Sequence, residues 1–197
     1  MIRYSLLFIF GIIIFACNQQ DASQPASKGM NLSGFETTEY PGGVTRAIKK
    51  DPNGTVIIEG YVKDGKKHGL WTTYSREDVV ESTQSYIDGV LYGKSFEYDH
   101  RRQIIKEETY INGKLYGKQG TYKFGRPKLE EYYVNNLRHG PYRKYFETGA
   151  EQGKISQTVD YVNGKIDGKV RNFNPKGELI VDYDYKDGEK VGGGIVE

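Results

Sequence analysis

This chain of 197 residues has one cysteine, one tryptophan and six prolines, and its 28 Lys and Arg nearly cancel its 26 Asp and Glu. A lone thiol can build neither an internal disulfide framework nor a thiolate metal cage. A net charge of +2 leaves no case for nucleic acid, whose binding calls for a strongly basic patch or stripe. Long hydrophobic runs are missing too. The longest, Leu6 to Ala16, falls well short of the roughly 20 apolar residues needed to span a bilayer as a helix. Glycine and tyrosine, by contrast, are abundant, with 25 and 17 residues, and glycine stands at nearly twice its usual share of about 7%.

The short apolar run follows Arg3 and reads as the core of an export signal. The segment Ile14, Phe15, Ala16 and Cys17 resembles a bacterial lipoprotein lipobox. That resemblance implies cleavage before Cys17 and acylation of its sulfur and amino group, so that acyl chains hold the mature protein to a membrane. Cys17 is thus the expected lipidation residue. Asn18, rather than Asp, follows it, which under enteric-type sorting implies the outer membrane. The expected location is the bacterial cell envelope, lipid-anchored, at the outer membrane if the host is Gram-negative. The stretch after Cys17, with Gln, Asp, Ser, Pro, Lys and Gly, has the composition of a flexible tether.

Self-comparison reveals a repeat. Six segments begin with Tyr and close with Gly seven or eight residues later: Tyr61 to Gly69, Tyr86 to Gly93, Tyr110 to Gly117, Tyr133 to Gly140, Tyr161 to Gly168 and Tyr185 to Gly192. The closing glycines are separated by 24, 24, 23, 28 and 24 residues, and the long interval holds an insertion near Gly149 to Lys154. Five residues after the first five closing glycines stands another aromatic: Tyr74, Tyr98, Tyr122, Tyr145 and Phe173. A period near 24 residues supplies two strands of about seven residues and two connections, the parts of a β-hairpin. Asp64-Gly65, Asp88-Gly89, Asn112-Gly113, Asn163-Gly164 and Asp187-Gly188 mark the first connection, because Asn, Asp and Gly accept the positive φ of a tight reversal. Asn136 takes the Gly place in the fourth unit. The intervening residues are rich in Val, Ile, Thr, Tyr and Phe, which favours strands.

Stepping back by twos from the repeat Tyr places Val80, Ile104, Ile155 and Leu179 on the tyrosine face, and Glu81, Thr83, Glu107, Thr109, Thr158 and Asp182 on the other. One apolar face and one polar face are expected. The adjacent pairs Glu107 and Glu108, and Glu130 and Glu131, should point to opposite faces, so neither pair forms an acid/base couple.

The Tyr-Val-Asn-Gly-Lys…Gly pattern with an aromatic five residues on resembles the MORN repeat, in its bacterial variant form; such proteins are often named the YwqK-family antitoxin group. The resemblance covers about Tyr61 to Gly193. It implies a single-layer antiparallel sheet of successive hairpins, used for protein or lipid contact rather than chemistry. An antitoxin role does not suit an exported lipoprotein.

The fold expected is all-β: an elongated single-layer antiparallel sheet. Domains read as signal peptide 1–16, tether 17–39 and β-repeat domain 40–197, the last made of a capping hairpin 43–60 and six repeats 61–197. About twelve strands, beginning near Val44, give a ribbon on the order of 60 Å long at about 4.8 Å per strand.

No enzyme signature, cofactor motif or metal-ligand spacing is found. His68 and His139 share a variable slot before the closing Gly, and His100 lies in a turn. The two turn edges carry nearly the same small positive charge, which assigns neither to an anionic lipid surface. Trp71 stands two residues after a closing Gly, where other units have Ser95, Gln119, Tyr142 and Val170. So variable a slot is expected to be exposed, and Trp71 is the candidate ligand contact. The expected function is a non-enzymatic, membrane-anchored scaffold with a protein partner. A module for envelope glycan or peptidoglycan, using exposed Tyr and Trp71, is the alternative.

Overall fold

The computed structural model describes residues 29–196. The signal peptide, Cys17 and the start of the tether lie outside the described residues. Sixteen strands follow: β1 (Glu36–Tyr40), β2 (Val44–Lys50), β3 (Val56–Lys63), β4 (Lys66–Tyr74), β5 (Val80–Ile87), β6 (Val90–Tyr98), β7 (Ile104–Ile111), β8 (Lys114–Leu115), β9 (Gly117–Lys123), β10 (Arg126–Val134), β11 (Leu137–Arg138), β12 (Gly140–Tyr145), β13 (Ile155–Val162), β14 (Lys165–Phe173), β15 (Leu179–Lys186) and β16 (Glu189–Ile195). They form one open antiparallel sheet in chain order, with the two-residue strands β8 and β11 pairing beside it on β7 and β10. The all-β, hairpin-by-hairpin architecture read from the repeat is the one observed. Fourteen strands lie on the main path, about 65 Å of sheet at roughly 4.8 Å each.

The first connections are two-residue turns with positive φ at both positions, from Asp64 (48°) and Gly65 (72°) to Asp187 (51°) and Gly188 (93°). Asn135 and Asn136 do the same at 51° and 67°. This handedness matches the strand twist and explains why only Asp, Asn and Gly occupy these places. Successive turns are also stitched together. The Gly89 amide donates to the Lys67 carbonyl (2.8 Å), Gly113 to Leu91 (2.8 Å), Gly164 to Arg138 (2.8 Å) and Gly188 to Ile166 (2.8 Å).

The second connections are more regular than their sequences. Asp51, Ser75, Asp99 and Asn174 each head a five-residue loop in which the backbone amide donates to the carbonyl four residues on, at 2.8 to 2.9 Å. In each the side-chain oxygen accepts the amides two and four residues later, at 2.8 to 3.3 Å. Side chains that bond their own following backbone define such turns.

Three expectations need correction. The tether does not extend to residue 39: β1 pairs with β2, and Met30, Leu32 and Phe35 pack on the core formed by Ala47, Val62 and Trp71. Their apolar side chains, spaced within a polar stretch, are the signal that composition alone concealed. The sheet accordingly begins at Glu36 rather than near Val44.

The faces also differ from the simple alternation. Each unit has a register shift near the second connection, pairing Tyr74 with Val80, Tyr98 with Ile104, Tyr145 with Ile155 and Phe173 with Leu179. One extra residue there flips the parity. The aliphatic residues therefore face the second aromatic row, on the side opposite Tyr86 and Tyr110, and each face carries its own row of rings.

Finally, the turn and not the tyrosine sets the phase of a unit. Val62 pairs with Lys67 just as Tyr86 pairs with Leu91, so Val62 holds the repeat-tyrosine position and Tyr61 points to the other face. In the last unit Gly193 (φ 79°) rather than Gly192 takes the positive φ of the closing glycine.

Candidate interaction faces of the sheet

Face A is the side of Trp71, Tyr86 and Tyr110. Its middle row runs through cross-strand partners Trp71 and Gln84, Ser95 and Glu108, Gln119 and Glu131, Tyr142 and Val159, and Val170 and Tyr183. This is the row that the variable slot suggested would be exposed. Instead Trp71 (4% exposed), Ser95 (5%) and Gln119 (6%) are among the most buried residues described. Trp71 is no exposed ligand contact. It lies flat over Gly60, where any Cβ would overlap the ring, and its indole Nε1 donates to the Tyr61 carbonyl at 2.9 Å. Phe35 meets it edge-on with centroids 6.4 Å apart. The slot varies because each occupant fits what lies beside it, and the glycine across the strand makes room for the largest side chain.

Beside that row, tyrosine hydroxyls donate to the residue two positions earlier. Tyr86 donates to Gln84 Oε1 (2.8 Å), Tyr110 to Glu108 Oε2 (3.0 Å) and Tyr133 to Glu131 Oε2 (3.4 Å). Burial, reinforced by the Glu108 carboxylate, pushes the Tyr110 phenol well above its ordinary value. A cleft of about 80 Å³ opens here, lined by Lys106, Glu108, Leu115, Gln119, Leu129 and Glu131 among others. That is smaller than the several hundred Å³ of ordinary small-molecule sites.

Cations lie over the face A rings. Lys67 Nζ stands 4.6 Å from the Trp71 centroid and 4.8 Å from that of Tyr86, and its burial lowers its proton affinity. Arg138 stands 5.8 Å from Tyr142 and 5.4 Å from Tyr161, and Lys190 3.5 Å from Tyr183.

Face B carries a row of ion pairs. Lys94 meets Glu107 at 2.6 Å and Lys118 meets Glu130 at 2.6 Å, while Arg46 meets Glu59 at 2.7 Å and Lys169 meets Asp184 at 2.7 Å. Tyr122 donates to Glu107 (3.1 Å) and Tyr145 to Glu130 (2.7 Å). The two adjacent-glutamate pairs are thus split between faces, as their spacing required. Burial alone would raise Glu107 and Glu130, but the lysines and tyrosines bonded to them draw both below the usual carboxylate range. Its bond to Glu130 lifts Lys118. Burial and the same carboxylate hold Tyr145 up to about 12.

His68 and His139 occupy equivalent places against the next turn. His68 Nδ1 stands 3.8 Å from Asp88, and His139 Nδ1 3.3 Å from the Asn163 side-chain oxygen. Among the described residues no three His, Cys, Asp or Glu side chains group closely enough to hold a metal ion.

The sequence offered no sign that Gly60 and Trp71 form one unit, since they belong to different repeats. The face B carboxylates were readable as strand residues, but their tyrosine partners come from the next strand over.

No family model matches the chain, and no curated protein does. Among solved structures, a glycosylation associate protein (Gap123) complex from Streptococcus agalactiae resembles it at 14% identity and a TM-score of 0.30, covering 64% of this chain and 23% of that one.

Proposed function

We propose that this protein is a non-enzymatic repeat scaffold that binds a protein partner in the bacterial cell envelope, held to the membrane by acyl chains on Cys17 and built of MORN-variant units of the YwqK-like kind. The observation that carries the binding reading is the bare stretch of face A. Met30, Leu32 and Phe35 pack on the sheet at its first hairpins, whereas Tyr110, Tyr133, Tyr142, Tyr161, Tyr183 and Tyr185 stand half-buried with no second layer over them among the described residues. Aromatic surfaces with an apolar body and a polar tip suit protein interfaces, where tyrosine and arginine are enriched. The adjoining cations and carboxylates would supply the polar rim.

The glycan reading loses its principal residue, because Trp71 is buried. A photo-crosslinking residue in place of Tyr183 tests the proposal in intact cells. A discrete adduct with another protein is the expected result. No adduct, together with retention of the full chain on peptidoglycan, would overturn it. The anchor has a separate readout: Cys17→Ser should abolish metabolic labelling with fatty acid, and persistent labelling would refute the lipobox assignment.

A further inference from the structure

The repeat lets one part of face A report on another. In the first unit Lys67, Trp71 and Tyr86 form a cradle: a cation two residues before the closing glycine, an aromatic ring two residues after it, and the tyrosine of the next unit. The fourth unit has the same three parts in Arg138, Tyr142 and Tyr161. The registers agree, since Gly69 pairs with Tyr86 and Trp71 with Gln84, while Gly140 pairs with Tyr161 and Tyr142 with Val159. The cation lies over both rings in each case. Tyr142 and Tyr161 are themselves edge-on, with centroids 6.3 Å apart and planes at 61°. In units two, three and five the slots hold Leu91 with Ser95, Leu115 with Gln119, and Ile166 with Val170, which build no such cradle.

The first cradle is filled by the chain itself. Phe35 stands edge-on to Trp71, Met30 and Leu32 pack on the same cluster, and the Met30 amide donates to the Gly65 carbonyl at 2.6 Å. A short segment that turns at Ser33 and Gly34, where the Phe35 amide donates to the Leu32 carbonyl at 3.0 Å and Gly34 takes a positive φ of 79°, and that offers two aliphatic anchors before one aromatic, is therefore what this combination of groups accepts. The second cradle carries no such cover among the described residues. Its one added charge, Glu131, is met by Arg138 at 2.7 Å and accepts the Tyr133 hydroxyl, so the floor does not demand a cationic ligand.

We infer that Arg138, Tyr142 and Tyr161 form a docking site for a short turn-forming peptide segment of a partner protein, anchored by an aromatic side chain that follows two aliphatic ones, in the manner of Met30 to Phe35. This rests on the protein-binding reading above and gives it an address. Recognition would come from ring-edge contact with Tyr142 and Tyr161, and from the apolar stem of Arg138.

The test uses the full chain and a fluorescein-labelled peptide of residues 29–36. The tethered copy of that sequence keeps its own cradle through a high effective concentration, so added peptide reports on the second one. Fluorescence anisotropy should show saturable one-to-one binding. Tyr142→Ala or Arg138→Ala, or Ala in place of Phe in the peptide, should weaken it at least tenfold, while Phe124→Ser leaves it unchanged. Tyr142→Trp, which copies the first cradle, should tighten it and covers the case in which the alanine variants fold poorly. Absence of saturable binding to both the wild type and Tyr142→Trp, or binding indifferent to residue 142, overturns the site. So does concentration-dependent dimerisation abolished by Phe35→Ala, which would make a second copy the occupant. Should peptide binding fail while the crosslink from position 183 persists, the scaffold reading stands and only this address falls; loss of both removes both.

Discussion

Trp71 shows how much one residue depends on its neighbour across the strand. A ring this size could be buried in a single-layer sheet only over a position with no side chain, and Gly60 provides it. The Trp71 indole also satisfies its only donor on the Tyr61 carbonyl, so no polar cost offsets the apolar gain. Trp71→Ala should therefore cost about 3–5 kcal/mol, in line with aromatic truncations in cores. Gly60→Ala should cost about 1–3 kcal/mol by overpacking. Because both act on one contact, the double variant should be less destabilised than the sum of the two, as denaturant titrations of all three would reveal. Additive losses would mean that the ring does not rest on Gly60. None of this was readable from Trp71 alone. Its slot looked permissive because the occupants differ, whereas the constraint lies in the pairing of occupants, and pairing appears only when strands are in register.

At the scale of the strand pair, the turns were legible and the faces were not. The Asp-Gly and Asn-Gly dipeptides gave the reversals directly, because few residues accept positive φ at two successive positions. Alternation misassigned Val80, Ile104, Ile155 and Leu179 because a single extra residue in each unit reverses every side chain beyond it. Unshifted register sets Glu107 opposite Gly120 and Glu130 opposite Arg143, so Tyr122 and Tyr145, two residues further on, share their faces and reach them from the following strands, and this linkage has a pH signature. Both carboxylates are drawn below their ordinary value in the folded sheet, against the burial that opposes it. Their contribution is present above the unfolded carboxylate value of about 4.3 and is lost as pH falls through the lower folded values. Tyr145 moves the other way. Its folded value of about 12 exceeds the ordinary tyrosine value of about 10, so its contribution is full below the latter and disappears as pH rises through the former. Urea midpoints should thus fall at both extremes, and Glu130→Gln should blunt both losses relative to wild type. An unchanged pH profile in that variant would show that the ordered contacts around Glu130 contribute nothing.

The whole molecule behaves as a one-dimensional array, because each hairpin touches only its neighbours in the strand order. Stability in such arrays is close to a sum of unit and interface terms, and whole units should be removable. Deleting residues 86 to 109, one period, joins Ser85 to Tyr110 and recreates a strand whose turn, repeat tyrosine and closing glycine keep their phase. The Tyr110 to Gly117 segment then meets β4 as Tyr86 to Gly93 did. Deleting residues 86 to 97 instead joins Ser85 to Tyr98, which loses the Asp88-Gly89 turn and brings the Asp99 loop to the wrong edge. Small-angle scattering on the body from residue 29 onward should find the one-period variant folded and shorter by two strands, about 10 Å at 4.8 Å per strand. The half-period variant should lose its cooperative thermal transition. An undiminished length in the first variant would mean that the chain is not extended along the strand order, and equal tolerance of both deletions would mean that the period is not the unit of stability.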